Sequence, residues 1–162
     1  MAEPKPIIVA PGGGTSVRNP VGGPIAFKAE AEQTGGILDA FESLPDPGEG
    51  PPLHLHVDQD EALYVLESDF RFKVDGKISP APAGTFVWLP RRTPHTWQNV
   101  GDSRGRLLFM FTPAGRMETF FRRLAEIGEA PGPEVLSEEF DRLGPEVGME
   151  TVGPPLAVSD PL

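Results

Sequence analysis

The chain has 162 residues, 38% of them apolar, and a formal charge of −10, which suits one domain with a single core and makes nucleic acid and anionic membrane surfaces poor partners. Cysteine is absent, so disulfides, thiolate metal sites, iron–sulfur clusters and cysteine nucleophiles are excluded. Glycine (19) and proline (20) together exceed a fifth of the residues, a density of turn formers that points to short strands with frequent reversals.

Residues 1–24 read as an arm, with one edge strand expected at the apolar run Ile7–Val9. Neither a basic region with a long apolar run behind it nor a stretch of about 18 apolar residues is visible, so the expected location is the cytoplasm. Two β-like runs follow, residues 25–34 and 36–44. The first alternates Ile25, Phe27, Ala29 and Ala31, the period of a half-buried strand. Residues 45–52 read as a loop. From Leu53 to Pro113 the pattern is dense: seven runs rich in aromatic and β-branched residues, most separated by turn residues, with Asp75-Gly76 as a two-residue hairpin signal. Many short antiparallel strands without intervening helices imply a closed barrel or jelly roll, an all-β fold.

After Pro113 the period changes. Met117, Phe120, Phe121 and Leu124 lie on one face of a helix ending near Gly128, expected to pack on the barrel. A second short helix is expected at Ser137–Leu143, before the tail METVGPPLAV. The expected organisation is an arm (1–24), a barrel (25–114) and a helical segment with tail (115–162).

Chemistry concentrates in the histidines, of which there are three. His54 and His56 alternate along a strand, so both imidazoles project from one face and can reach one ion at about 2.0–2.1 Å. Glu61 starts the next apolar run and can add an oxygen, and His95 opens another strand after a proline-rich turn. Three nitrogens and one carboxylate leave one or two positions open on a five- or six-coordinate ion, which suits ligand capture or catalysis. The donor set admits Fe, Mn, Ni, Co, Cu or Zn.

The spacings Gly48-x5-His54-x-His56-x4-Glu61 and Gly84-x5-Pro90-x4-His95-x3-Asn99 resemble the two motifs of the cupin superfamily. Two glycines usual in those motifs are replaced, by Ser68 and Arg92, which puts local turn geometry in question. The resemblance implies a double-stranded β-helix (a jelly-roll barrel) with one or two short C-terminal helices, and one divalent metal ion held by His54, His56, Glu61 and His95. The layout of the whole chain is similar to single-barrel bacterial cupins grouped as quercetinase-like dioxygenases. That likeness implies a flavonol or related enol as substrate, O2 as co-substrate, and Glu61 as acceptor of the substrate hydroxyl proton. An isomerase, cyclase or decarboxylase, or a module that binds a small ligand or the metal without catalysis, remains the alternative. A homodimer is expected on the same resemblance, with the arm adding a strand to a neighbour.

Other residues carry two readings. Trp97 shares a strand face with His95 and either stacks a planar substrate or fills the barrel. Tyr64 either donates a hydrogen bond to a ligand or packs. Asp60 competes with Glu61 if the loop register slips. Arg91 and Arg92 form an anion clamp or, preferably, a solvated turn. Asn99 is assigned to turn or strand hydrogen bonding. Which of Phe86/Trp88 and Val87/Leu89 points inward is open.

Overall fold

In the computed structural model, which describes residues 3–20, 23–128 and 132–162, the alternating runs become strands. These are β1 (Thr15–Arg18), β2 (Pro24–Ala29), β3 (Asp39–Ser43), β4 (Leu53–His56), β5 (Asp60–Glu67), β6 (Asp69–Val74), β7 (Lys77–Pro82), β8 (Phe86–Leu89), β9 (His95–Asn99), β10 (Arg106–Thr112) and β11 (Met149–Gly153). One helical turn, α1 (Ala31–Thr34), separates β2 from β3, while α2 (Met117–Ala125), α3 (Pro133–Leu143) and the short α4 (Leu156–Ser159) follow β10. Residues 1, 2, 21 and 22 of the expected arm lie outside the described residues.

Two antiparallel sheets face each other, one ordered β1-β2-β3-β10-β5-β8 and the other β11-β4-β9-β6-β7. Period-two patterning sets the inner faces. On β5, Glu61, Leu63 and Val65 are buried while Ala62, Tyr64 and Leu66 point outward, and on β10 Leu107, Phe109 and Phe111 are buried. Val87 and Leu89 are the more buried pair on β8, which leaves Phe86 and Trp88 exposed. Phe27, Phe41, Phe109, Phe111 and Phe121 meet mostly edge to face at centroid distances of 5.0–6.1 Å and fill one half of the barrel.

The structure differs from expectation in four places. Ile7–Val9 form no strand, because Gly12–Gly14 reverse the chain and β1 starts only at Thr15. Gly14 has φ +102°, and a Cβ there would sit 2.3 Å from the Phe27 carbonyl oxygen, so only glycine permits this close crossing. The second half of the 25–34 run closes as α1, whose Glu30 and Gln33 form a reciprocal capping box. The tail supplies β11, which pairs with β4 (Met149↔His56, Thr151↔His54) and so backs the two histidines. The second C-terminal helix also starts earlier than expected, at Pro133, where proline fits the first helical position.

The two substituted glycines keep the glycine backbone. Ser68 and Arg92 have φ +73° and +68°, the left-handed region that glycine occupies freely and other residues at a cost. Each is held there. The Ser68 hydroxyl donates to Asn99 Oδ1 at 3.0 Å, and the Arg92 N–H donates to the His56 carbonyl at 2.7 Å. Asn99, fully buried, also donates to the Pro45 and Ser103 carbonyls, which is the turn-bonding role assigned to it. The Asp75-Gly76 hairpin forms with both φ positive (48° and 81°), as a type I′ turn requires.

Candidate metal centre

Three strands bring the ligand candidates together across both sheets. His54 and His56 stand on the inner face of β4, His95 lies directly opposite His54 on β9, and Glu61 comes from β5 in the facing sheet. One potential ligand atom from each residue lies within 4.8 Å of the others, and all four residues are buried. Ring centroids of His54 and His95 are 4.4 Å apart. Glu61 Oε2 lies 2.8 Å from His95 Nε2 and 3.4 Å from His56 Nε2.

Backbone carbonyls fix which nitrogen faces inward. His54 Nδ1–H donates to the Pro52 oxygen and His95 Nδ1–H to the Thr93 oxygen, each at 2.8 Å. A carbonyl can only accept, so in the neutral ring Nε2 carries the lone pair, the arrangement typical of a metal-ligating histidine. His56 has no such partner: both its nitrogens are buried without a hydrogen bond.

Burial, followed by the neighbouring His95 and His56, pushes the His54 pKa well below its ordinary value, so this ring stays neutral. For Glu61 burial works toward the neutral acid, but the adjacent imidazoles of His95 and His56 outweigh it and hold the carboxyl well below the usual range. The charge pattern is therefore an anion among nitrogens. His56 Nε2, His95 Nε2 and Glu61 Oε2 are all buried and lack a hydrogen bond. With the His95 Nδ1 proton committed to Thr93, Nε2 of this ring faces a carboxylate oxygen 2.8 Å away, a contact that requires a proton or a cation between the two atoms. The residues thus fit a divalent cation, and nothing in the donor set selects its identity.

Beside His54, His56 and Glu61 lies a cavity of about 50 Å³. Its walls are apolar apart from His54, His56, Glu61, Asn19 and Ser43, and Phe120 and Phe121 of α2 and Phe140 of α3 form its roof. The stripe expected to pack on the barrel therefore does so over the site. Trp97 lines this cavity. Tyr64 does not: β5 alternation puts it on the outer face, opposite in register to the inward Glu61 and Leu63, and it is 39% exposed. Asp60 also points away from the site and is bound by Arg91 through two side-chain contacts and the Arg91 N–H. That pairing occupies both groups, so the register slip does not occur and Arg91 is not a free anion clamp.

Two features escaped the sequence reading. Phe140 and Met149 line the cavity from segments read as a bare helix and a tail. Asp39, fully buried on β3, accepts from the Gly115 N–H at 3.0 Å near the root of α2. An acid at an inward position of the Asp39-Phe41-Ser43 alternation was the available signal.

Residues 42–111 match the model of the cupin domain family. The chain is 33% identical over 67 residues to the polyketide synthase CurC of Streptomyces cyaneus, covering 41% of this chain and 44% of that protein. It is 26% identical over 112 residues to the quercetin 2,3-dioxygenase of Bacillus subtilis (strain 168), covering 68% of this chain and 33% of that protein. The match thus spans less than half the length of either relative. Among solved structures, an RmlC-like cupin from Shewanella frigidimarina superposes with a TM-score of 0.57 at 23% identity, covering 70% of this chain and 96% of that one. The match over 42–111 contains all four ligand candidates, and the facing sheets reproduce the jelly roll. The chain therefore carries a cupin domain in a cupin fold and resembles the quercetinase-like single-barrel cupins.

Proposed function

We propose that the protein is a metal-dependent dioxygenase acting on a flavonol-like or other enolisable small molecule, with His54, His56, Glu61 and His95 as the ligands of one divalent ion. The observation that carries this reading is the convergence of three imidazoles and the Glu61 carboxylate beside a mostly apolar cavity that His54, His56 and Glu61 line. When bound, the ion supplies Lewis-acid polarisation of a substrate oxygen and, if redox-active, a path for electrons to O2. The chain's residues do the rest. Glu61 Oε2, buried and without a hydrogen-bond donor, accepts the substrate hydroxyl proton. Trp97 and Phe140 flank the substrate ring, and the phenylalanine roof keeps bulk water out. Likeness to the quercetin 2,3-dioxygenase of B. subtilis supports the reaction class. The setting proposed is cytoplasmic, in a homodimer, with the barrel segment 25–114 carrying the ligands.

The cavity volume favours a compact substrate. A drug-sized ligand needs on the order of 300 Å³ or more, against about 50 Å³ here, so a flavonol enters only if α2 and α3 move. A small enolic substrate handled by isomerisation or decarboxylation is the second reading that this volume supports. Oxygen uptake with a panel of flavonols and small enediols, on protein of known metal content, separates them. The expected result is uptake that disappears in Glu61→Gln while the metal stays bound. Turnover of an enediol without O2 consumption would favour the second reading, and no turnover of any kind would overturn both.

A further inference from the structure

The cavity beside the metal centre has a second polar end. Its lining includes two uncharged polar residues, Ser43 and Asn19, buried at 1% and 4% exposure. Strand register gives their distance from the centre. Glu61 pairs with Phe111, and Phe111 with Asp39, so these three residues form one row across the sheet. Ser43 lies four residues farther along β3, in the row of Leu107 and Ile25. That spacing puts it roughly 13 Å from the Glu61 row along the strands. Asn19 stands two residues beyond Val17, the partner of Ile25, and its N–H continues the ladder to the Gly23 carbonyl. It is therefore farther still.

Apolar side chains fill the interval, Ile25 and Phe109 from the sheet and Phe120 and Leu124 from α2. α2 lies along the cavity. The Gly115 N–H at its root bonds Asp39 in the Glu61 row, while Gly128 beyond its end walls an outer groove together with Asn19. The volume of about 50 Å³ is room for about four waters at about 10–15 Å³ each. Spread over that length, the space is a narrow file.

We infer that the substrate is a narrow, single-ring enol with a second, neutral oxygen remote from the enol, and that Ser43 and Asn19 hydrogen-bond this remote oxygen. The inference rests on the proposed binding of an enol oxygen at the ion. Among the substrates considered for that site, it selects the compact enol over the flavonol. A serine hydroxyl offers one donor and two acceptor positions, and an asparagine amide two of each. A protein contact at either residue therefore leaves capacity for a ligand. An apolar group placed against the pair would strip water from a buried hydroxyl and amide without replacing its hydrogen bonds, so the pair disfavours ligands that lack the oxygen. The remote group is neutral because, among the described residues, no lysine or arginine lines the cavity. A carboxylate buried there would have no cation to pair with.

Three hydroxypyranones test this. They share one chelating end and differ at the far carbon, where kojic acid carries a hydroxymethyl group, allomaltol a methyl group and comenic acid a carboxylate. Binding is measured by calorimetry on protein loaded with Zn²⁺, which has no redox chemistry, so O2 plays no part. Kojic acid should bind wild type about tenfold more tightly than allomaltol, the worth of one hydrogen bond to a buried neutral group, and comenic acid should bind weakest. In Ser43→Ala and Asn19→Ala the advantage of kojic acid should shrink, and in the double variant disappear, while allomaltol affinity does not fall. A loss of affinity for both ligands alike would mark a structural role and overturn the assignment. Equal wild-type affinities for kojic acid and allomaltol, or comenic acid binding most tightly, would overturn it without any variant. Each of these outcomes leaves enol binding at the ion, and with it the dioxygenase reading, in place. Zinc-loaded protein that binds none of the three would overturn both.

Discussion

Glu61 and Asp39 stand on one row of the same sheet with opposite electrostatics. Both lie opposite Phe111 in register, one on each side, so two strand spacings, about 10 Å, separate their backbones. Both are buried, at 5% and 0% exposure. Around Glu61 the imidazoles of His95 and His56 outweigh burial, and the carboxylate stays charged. Among the described residues no cation acts on Asp39. Burial raises its pKa to about 7, opposed by the Gly115 and Ala31 N–H groups and reinforced by Glu118 and Glu30. Depth in the barrel alone thus does not set the charge of a carboxylate. The imidazoles overcome burial at Glu61 and equip it to hold a cation, whereas at Asp39 burial prevails and the acid holds a proton.

Removing the imidazoles should break this comparison most completely. The double variant His54→Ala/His95→Ala is expected to purify with metal at background level by elemental analysis, and His54→Ala alone should lose most of it. Metal content unchanged in the double variant would refute the assignment of the centre. Next comes the partition between the two acids. Phe111 is 2% exposed, with its ring 4.9 Å from His56 and 6.1 Å from Phe41. Phe111→Ala should cost about 3–5 kcal/mol in denaturant unfolding, whereas a loss below about 1 kcal/mol would mean that the row is not tightly packed there.

The same pair shows what the sequence made legible. Glu61 was readable because it belongs to a spacing of rare residues: each of the three histidines falls in one of two short motifs, and strand alternation alone puts His54 and His56 on one face. Most of the barrel strands were readable for a related reason, since period two and turn residues are local signals. Asp39 sits in no motif, and its partners Gly115 and Glu118 lie far along the chain, so its environment exists only after folding. The roof was half legible. Helical spacing revealed the stripe Met117, Phe120, Phe121 and Leu124, but a stripe that covers a cavity has the same pattern as one that packs on a core. Strand β11 was missed because METVG pairs with β4 through backbone bonds that carry no sequence signature. Tyr64 was left between two roles because a lone aromatic is ambiguous until the face of its strand is known.

Asp39 gives a prediction of intermediate size. Its pKa is higher in the folded chain, about 7, than its ordinary 3.8. Its protonation therefore stabilises the fold in full below about pH 4, and that contribution is lost as pH rises through 7. Asp39→Asn keeps an acceptor for Gly115 and cannot ionise. The gain in stability of this variant over wild type should therefore grow from pH 5 to pH 8 by on the order of 2 kcal/mol, given ~1.4 kcal/mol per pKa unit. A difference independent of pH would show that Asp39 does not titrate in this range.

The smallest effect should come from Glu118, which tests whether neighbours as well as burial hold the proton on Asp39. Glu118 lies in the first turn of α2, and its Oε2 is buried without a hydrogen bond. Its charge raises the Asp39 pKa, as does that of Glu30. Glu118→Gln removes that repulsion with little change in shape. In this background the pH at which the Asp39→Asn advantage sets in should move down by a fraction of a unit, because charge repulsion is a smaller cause than burial in holding the proton. A purely structural role for Glu118 would instead lower stability by the same amount at every pH and leave the midpoint where it was. The two outcomes are separable by unfolding curves at four or five pH values on the single and double variants. A midpoint that does not move would show that Glu118 does not help to hold the proton on Asp39.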